Sequence, residues 1–359
     1  MPLPDLDGPR PTLIDRISPS SANELLACEL RAGFSRDVRF KRWRRPSTYS
    51  VLGESAHAVI EAAFKRTDWP NDPDRLRDQI EAVWDGSVAV GVAKLAKAWA
   101  PANPPPADEW PGFQLTRART ARRVERLVTA APAARVAPAP GTGIEVTLED
   151  PNSMLFGRVD RIDRVGSTVR VVDLKTGLKQ GDATEGQTRQ LLLYAILVHR
   201  STGEWPAEIA IEDASGAQTV RPLAPVEAEG ALDQVTSAVA SFNERASGPT
   251  PSFTAQPDPD TCRWCAYRVV CRPYWVGLRD EWKHRSVLGE ILSSGTSDRG
   301  AHVELQISSP SDTLETRTQL TSLAEAPPNG ASWIAAVDLK GGVDNREMRA
   351  RWSSLVRMW

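Results

Sequence analysis

A mixed α/β fold, a sheet flanked by helices, is predicted for this chain of 359 residues, with a helical region ahead of it and a small β-barrel-like domain behind it. Three observations carry that expectation. Before Ala130 the apolar residues recur at helical spacing, with almost no strand pattern. Between Gly143 and Ala246 short runs rich in Val and Ile alternate with helical stretches, the signature of a sheet packed against helices. Beyond Ser286 only short strand-like runs remain, parted by Gly, Ser and Pro.

The elements follow in order. Ser18 caps a helix with Pro19 at its first position, and this helix reaches Cys28. Further helices are predicted at 47–66, 73–99 and 112–131, with a proline-rich surface loop from Pro101 to Pro111. Ala130 to Gly143 is an Ala/Pro/Gly connector. Strands at 143–149, 154–163 and 168–174 lead through a turn at Thr176-Gly177 into a helix at 185–200. Strands at Glu208–Asp213 and Gln218–Pro222 and a helix at Val226–Ala246 come before a cysteine-bearing loop. Five strands close the chain: Val287–Leu292, His302–Ile307, Arg317–Leu323, Ser332–Leu339 and Met348–Val356, which fit a small OB-like barrel. The predicted units are 1–142, 143–275 and 286–359.

Composition sets bounds. A hydrophobic share of 41% supports a globular core, and no apolar run is long enough to span a membrane. A net charge of -2 excludes a uniformly basic nucleic-acid binder. The first seventeen residues lack a long apolar run, so a cytoplasmic, reducing setting with free thiols is expected.

The residues with the most chemical content lie in the middle strands. Val-Arg-Val-Val-Asp-Leu from Val169 to Leu174 reads as a buried strand on which Asp173 and Lys175 share a face. Asp160, in Gly157-Arg158-Val159-Asp160, lies late in the preceding strand. Two neighbouring strands can bring both carboxylates to one Mg²⁺ or Mn²⁺, hard cations that take oxygen ligands, with an ammonium beside them. Such a trio suits phosphodiester cleavage, with a metal-bound water as nucleophile and the cations stabilising charge on the phosphate. Lysine is scarce, eight residues among 44 Lys+Arg, so its presence here is informative. A similar triplet, Asp338-Leu339-Lys340, lacks the preceding G-x-x-D and a following helix. The alternative is that all three are ordinary strand-end residues.

Two helical pairs accompany the strands. Gln190 and Tyr194, four apart in an otherwise apolar helix, need polar partners, and the metal site or a scissile phosphate would supply them. His57 and Glu61 form another pair, with His57 a candidate metal ligand in a chain of four histidines. Glu145 is a further acid at the site or a solvent-facing strand residue.

Four cysteines form an independent signal. Cys262, Cys265 and Cys271 have the spacing C-x2-C-x5-C, and Cys28 lies far upstream. Four thiolates fill one Zn²⁺ site or hold one iron–sulfur cluster, and the one-plus-three split favours the cluster. The segment from Arg31 to Arg45 carries seven cations against Asp37, interleaved with Phe34, Phe40 and Trp43. Within it Arg39, Lys41, Arg42, Trp43, Arg44 and Arg45 suit single-stranded DNA through phosphate pairing and base stacking. A second basic stretch holds Arg117, Arg119, Arg122, Arg123 and Arg126. A solvated surface is the plainer reading of either. Trp282, Trp333, Trp352 and Trp359 are stacking candidates or core residues.

Taken together, Ser18-Pro19-Ser20, the G-x-x-x-H at His57, G-R-V-D-R-I-D, V-V-D-L-K-T-G, Q-L-L-L-Y-A and the closing C-x2-C-x5-C resemble the RecB-like branch of the PD-(D/E)XK nucleases. They resemble most its iron–sulfur members, among them CRISPR-adaptation nucleases and the nuclease domains of helicase–nucleases. The resemblance runs from about Ile14 to Tyr274, with the motifs in order. It implies a restriction-endonuclease-like core, with His57, Asp160 and Asp173 at metal positions, Lys175 as catalytic lysine and Gln190 and Tyr194 as the accessory helix motif. It also implies that Cys28, Cys262, Cys265 and Cys271 ligate a [4Fe-4S] cluster. One departure is that Glu29 follows Cys28, where the family commonly has proline. No G-x-x-x-x-G-K-[ST] loop is present, so any helicase would be a separate protein. The expected function is a Mg²⁺- or Mn²⁺-dependent deoxyribonuclease acting on single strands or DNA ends, an exonuclease rather than a sequence-specific endonuclease, in repair, recombination or phage defence. The alternative is a non-catalytic iron–sulfur or zinc-stabilised DNA-binding or scaffold module of a helicase or CRISPR complex.

Overall fold

The computed structural model describes residues 8–129, 143–175, 183–278, 282, 286–298, 300–307, 316–341 and 347–359. The expected turn at Thr176-Gly177 and most of the Ala/Pro/Gly connector lie outside them. Helix α1 (Pro19–Ala27) starts where the Ser18 hydroxyl accepts from the Ser21 amide, and extended backbone at Cys28 separates it from α2 (Glu29–Arg36). A 3₁₀ turn at Val38–Trp43 leads to α3 (Thr48–Lys65), whose Ser47/Ser50 capping box sets its first turn. Then come α4 (Pro73–Trp99) and α5 (Phe113–Thr129). A Cβ on Gly91 would lie 2.2 Å from Val51 Cγ1, so only glycine lets α4 press this closely on α3. That packing matters because α3 carries His57.

The first sheet holds β1 (Gly143–Glu149), β2 (Phe156–Val165), β3 (Thr168–Lys175), β4 (Glu208–Asp213) and β5 (Gln218–Pro222) in sequential order. All neighbours are antiparallel except β3 and β4. A parallel pair needs a crossover, and α6 (Glu185–Thr202) supplies it. Leu191 to Val198 are all buried in α6, which lies against the sheet on one side and α1 and α7 (Pro225–Ala246) on the other. A helix enclosed in this way is apolar all round.

The 259–277 segment forms short α8 (Pro259–Arg263) and α9 (Arg272–Gly277) around the cysteine triplet. The C-terminal part differs from expectation. Seven strands, not five, form one mixed sheet: β6 (Ser286–Ser297), β7 (Gly300–Ile307), β8 (Thr316–Leu323), β9 (Trp333–Val337), β10 (Lys340–Gly341), β11 (Glu347–Arg349) and β12 (Leu355–Met358). Their order is β10-β11-β8-β7-β6-β9-β12, with β10 and β12 as edges among the described residues, so no closed five-stranded barrel forms. The predicted Met348–Val356 strand splits because the chain turns at Arg351–Ser354, where the Ser354 hydroxyl accepts from the Arg351 amide. One apolar core joins α3, α4, α5 and the cysteine segment to Leu288, Ala335, Val337 and Leu355 of this sheet, and a second joins α1, α6 and α7 to the first sheet. The helical front and the C-terminal sheet therefore share a core. Among the described residues no helix is long and apolar enough to cross a membrane.

Candidate metal centre

The strand register builds the site. Ile144 faces Arg161 and Val146 faces Val159, which places Glu145 opposite Asp160. Arg161 faces Val172, so the next step places Asp160 opposite Asp173. Three carboxylates thus stand in a row across β1, β2 and β3. Glu145 has φ 52°, in the left-handed region that a residue with a long side chain rarely adopts. This local distortion falls on the strand residue facing Asp160, a position where strain commonly serves a site.

His57 on α3 faces the row. Its Nδ1 lies 3.8 Å from Glu145 Oε1, and ligand atoms of His57, Glu145 and Asp160 all lie within 4.8 Å of one another. One imidazole nitrogen and two carboxylates form a donor set that suits a divalent cation. Asp173 is turned to Lys175, whose Nζ is 2.7 Å from Asp173 Oδ2. The expected trio of His57, Asp160 and Asp173 is therefore drawn with Glu145 in the tight group and Asp173 at its flank. The signal in the sequence for Glu145 was its place on the strand that directly precedes the Asp160 strand; the register that brings the two together is seen only in the fold.

Electrostatics describe a site short of positive charge. Burial above all, then Asp173, pushes the Asp160 carboxyl up to about 6. Burial also raises Asp173, against the pull of Lys175. Burial alone would lower His57, but the neighbouring Glu145 carboxylate and the charges of Asp160 and Asp173 outweigh it and raise it. Glu145 is also penalised by burial, yet His57 and Arg158, whose Nε lies 2.5 Å from its Oε2, bring it below its ordinary value. Asp160 also accepts from the Leu174 amide at 2.7 Å.

A pH signature follows. Folded Asp160 holds its proton more tightly than the unfolded chain, so its contribution to stability is present at pH 4 and lost as pH rises through about 6. The expected loss in the cation-free protein is about 2 kcal/mol. Asp160→Asn removes it, so the variant gains on wild type between pH 4.5 and 7 in denaturant titrations. A stability difference that does not change over that window would contradict the assignment.

Behind the row, Lys175 Nζ donates to Gln190 Oε1 at 3.5 Å, and Gln190 Nε2 donates to the Tyr194 hydroxyl at 3.2 Å. Gln190 and Tyr194 thus reach the site through Lys175. Burial raises the Tyr194 phenol, which stays protonated. The glycine of G-R-V-D permits this arrangement, because a Cβ on Gly157 would meet Tyr194 Cε1 at 3.0 Å, Pro19 Cδ at 3.1 Å and Leu197 Cδ1 at 3.2 Å. Gly157→Val should cost about 1–3 kcal/mol by overpacking, measured as a drop in denaturation midpoint. An unchanged midpoint would show that β2 and α6 have slack there.

Other expected residues fall elsewhere. Glu61 pairs with Lys65 and lies 3.6 Å from Arg158. Asp338 of the second triplet pairs with Arg268 at 2.6 Å, away from the acid row. Arg39 pairs with Asp37 at 2.6 Å, and Phe34, Phe40 and Trp43 are buried, so the aromatic rings of the Arg31–Arg45 segment face inward and Trp43 offers no open face to a base. Lys41, Arg42 and Arg44 are exposed and Arg45 is half-buried. In the second basic stretch Arg117 pairs with Glu81, Arg126 donates to the Ser215 carbonyl, and Arg123 is buried against Glu212, which also holds Arg161. These three are structural arginines. Trp333, Trp352 and Trp359 pack against the shared core, as does Trp282.

Cys28, Cys262, Cys265 and Cys271 line one small cavity. Glu29 has a visible task there: its carboxylate accepts from the Thr254 amide at 2.8 Å and pairs with Arg245, while the Leu30 amide donates to the Thr254 carbonyl. These bonds tie the chain after Cys28 to the chain leading into the triplet. Burial pushes the Cys265 thiol up to about 11 and raises Cys262 and Cys271. A single tetrahedral Zn²⁺ needs its sulfurs about 3.8 Å apart, from Zn–S bonds of about 2.3 Å. Among the described residues no three of the four sulfurs come within 4.8 Å of one another, so this arrangement does not fit one zinc ion.

Comparison with known proteins gives the family. No curated protein matches the chain. The crystal structure of SSO0001 aligns over 60% of this chain and 84% of that chain, at 13% identity and a TM-score of 0.25. The family model of the PD-(D/E)XK nuclease superfamily matches residues 16–272, which takes in the acid row, Lys175, α6 and all four cysteines, and the chain belongs to that superfamily.

Proposed function

We propose that this member of a nuclease superfamily is a Mg²⁺- or Mn²⁺-dependent deoxyribonuclease of the RecB-like branch, acting on single strands or free ends in repair, recombination or phage defence. The observation that carries the reading is the row Glu145–Asp160–Asp173 with His57 facing it and the Lys175 ammonium 2.7 Å from Asp173. A divalent cation held by His57, Glu145 and Asp160, with Asp173 beside it, would supply an activated water and a Lewis acid for the phosphate. Lys175 offers an ammonium to the charge that develops on the phosphate oxygens. Asp173 and Gln190 hold that ammonium from two sides, and Tyr194 holds Gln190. Arg158, 55% exposed at its side chain and anchored on Glu145, is placed to meet the phosphate backbone.

The four cysteines line one cavity, and that shared lining is the observation behind reading them as ligands of a [4Fe-4S] cluster. Arginines in the 31–45 segment support nucleic acid as the partner, with a helicase or CRISPR protein as a further candidate partner. The test is digestion of DNA labelled at either end. Exonucleolytic action from an end gives mononucleotide or short products from one label at the earliest times. A ladder of internal cuts from both labels would instead make the enzyme an endonuclease.

A further inference from the structure

Two adjoining cavities lie between the helical front and the C-terminal sheet. One, of about 630 Å³, is lined among others by Arg42, Arg45, Trp99, Arg351 and Trp352. The other, of about 870 Å³, shares Arg45, Trp99, Arg351 and Trp352 and runs on to Tyr49, Arg263, Trp264 and Lys340. Neither shares a lining residue with the cleft under His57.

Charge and aromatic exposure set this groove apart. The core arginines Arg123, Arg161 and Arg170 are each paired with a carboxylate. Among the described residues Arg42, Arg45, Arg263 and Arg351 have no ion-pair partner within salt-bridge distance, while the acids of the groove are Glu109, Glu325 and Asp338, the last held by Arg268. Leaving cations unpaired around one concavity is useful where a polyanion arrives. The rings divide into two kinds. Trp43 and Trp99 are buried, with Arg42 and Arg45 guanidinium groups lying 5.0 Å and 4.9 Å from their centroids. Trp264 is 62% exposed and Tyr49 54% exposed, and their rings form an edge-to-face pair at 6.4 Å with the Arg263 guanidinium 4.9 Å from the Trp264 ring. Exposed rings beside unpaired guanidiniums are a stacking platform with a phosphate track.

We propose that this groove, walled on one side by the C-terminal sheet, binds single-stranded DNA. Unpaired bases can stack on Trp264 and Tyr49, whereas the bases of a duplex are already stacked on one another and present only their edges. The groove also has a route to the acid row. Tyr49 stands at the first turn of α3, and His57 follows eight residues later on the same helix, about 12 Å along its axis. Binding stands on the groove alone; that the strand is bound for cleavage rests on the nuclease reading above.

The test is fluorescence anisotropy of labelled oligonucleotides with the full chain in EDTA, which keeps binding apart from cutting. Wild type is expected to prefer single-stranded DNA to the same sequence as a duplex. Trp264→Ala should weaken single-strand binding about tenfold. Arg351→Gln should flatten the dependence of log K on log salt by about 0.7, the contribution of one phosphate contact on a single strand. Both side chains are exposed, so the variants fold, which near-UV circular dichroism checks; Arg263→Gln repeats the salt measurement at a second position. Wild-type affinity and salt slope in the folded variants would overturn the proposal, as would equal binding of duplex or tighter binding of RNA. The two readings fail separately. A wild type that cuts DNA while the groove variants bind normally overturns only the groove, and a wild type that never cuts while the variants lose binding overturns only the nuclease reading.

Discussion

Lys175→Ala should lower the rate of metal-dependent DNA cleavage by at least about 10³-fold while leaving the fold in place. A preorganised charge that meets the developing negative charge of a transition state commonly contributes on that scale. The side chain is about one third exposed and makes one ion pair and one long hydrogen bond, so its removal opens no large cavity. Asp173 then loses the cation that opposes its burial, and some loss of cation affinity or stability at neutral pH is the expected companion effect. Single-turnover kinetics under saturating Mg²⁺ or Mn²⁺ separate the rate of cutting from binding. Full activity in the variant, or a variant that unfolds, would show that Lys175 does not have the assigned role.

Cys265→Ala should have the largest effect on stability. If the four cysteines hold a cluster, losing one ligand releases the strap that joins Cys28 to the triplet, and the protein should lose several kcal/mol and its bound iron. If they are four separate buried thiols, the same change removes one small apolar group and should cost only about 1 kcal/mol. The wide gap between the outcomes makes the experiment decisive. Iron and sulfide analysis with visible absorption is the paired readout; normal folding with unchanged iron content would refute Cys265 as a cluster ligand, and wild type without iron and sulfide would refute the cluster. The position also matters mechanically. Arg268 donates to the Cys265 carbonyl at 2.8 Å and pairs with Asp338 beside the C-terminal sheet, so a disturbance at Cys265 passes directly to the wall of the groove.

Local chemistry made much of the fold legible. Ser18-Pro19 and Ser47 announce helix starts through their capping geometry, and the short Val- and Ile-rich runs around Asp160 and Asp173 read as strands. The pairing of Asp173 with Lys175 followed from the two-residue period of a strand. What the sequence hid is non-local. Whether Glu145 joins the site depends on the β1–β2 register and on a left-handed backbone at that residue, neither of which its neighbours encode. Arg123 reads as a surface cation on a helix, and only the tertiary fold supplies Glu212 to neutralise it in the interior. Phe40 and Trp43 read as bases' stacking partners because they sit among arginines, but a 3₁₀ turn points them inward and leaves the cations outside. The C-terminal strands were individually legible as apolar runs. Their order was not, because β6 pairs with both β7 and β9, and β8 takes β11 in parallel.

The central claim is that the acid row and Lys175 form a metal-dependent DNA-cleaving site. Its most direct test is cleavage of end-labelled single-stranded and duplex DNA by wild type, with Mg²⁺ or Mn²⁺ and with EDTA, beside Lys175→Ala. The account predicts cutting that requires the cation and disappears in the variant. Cutting that persists in EDTA, or the absence of cutting by folded, cation-supplied wild type on either substrate, would contradict it.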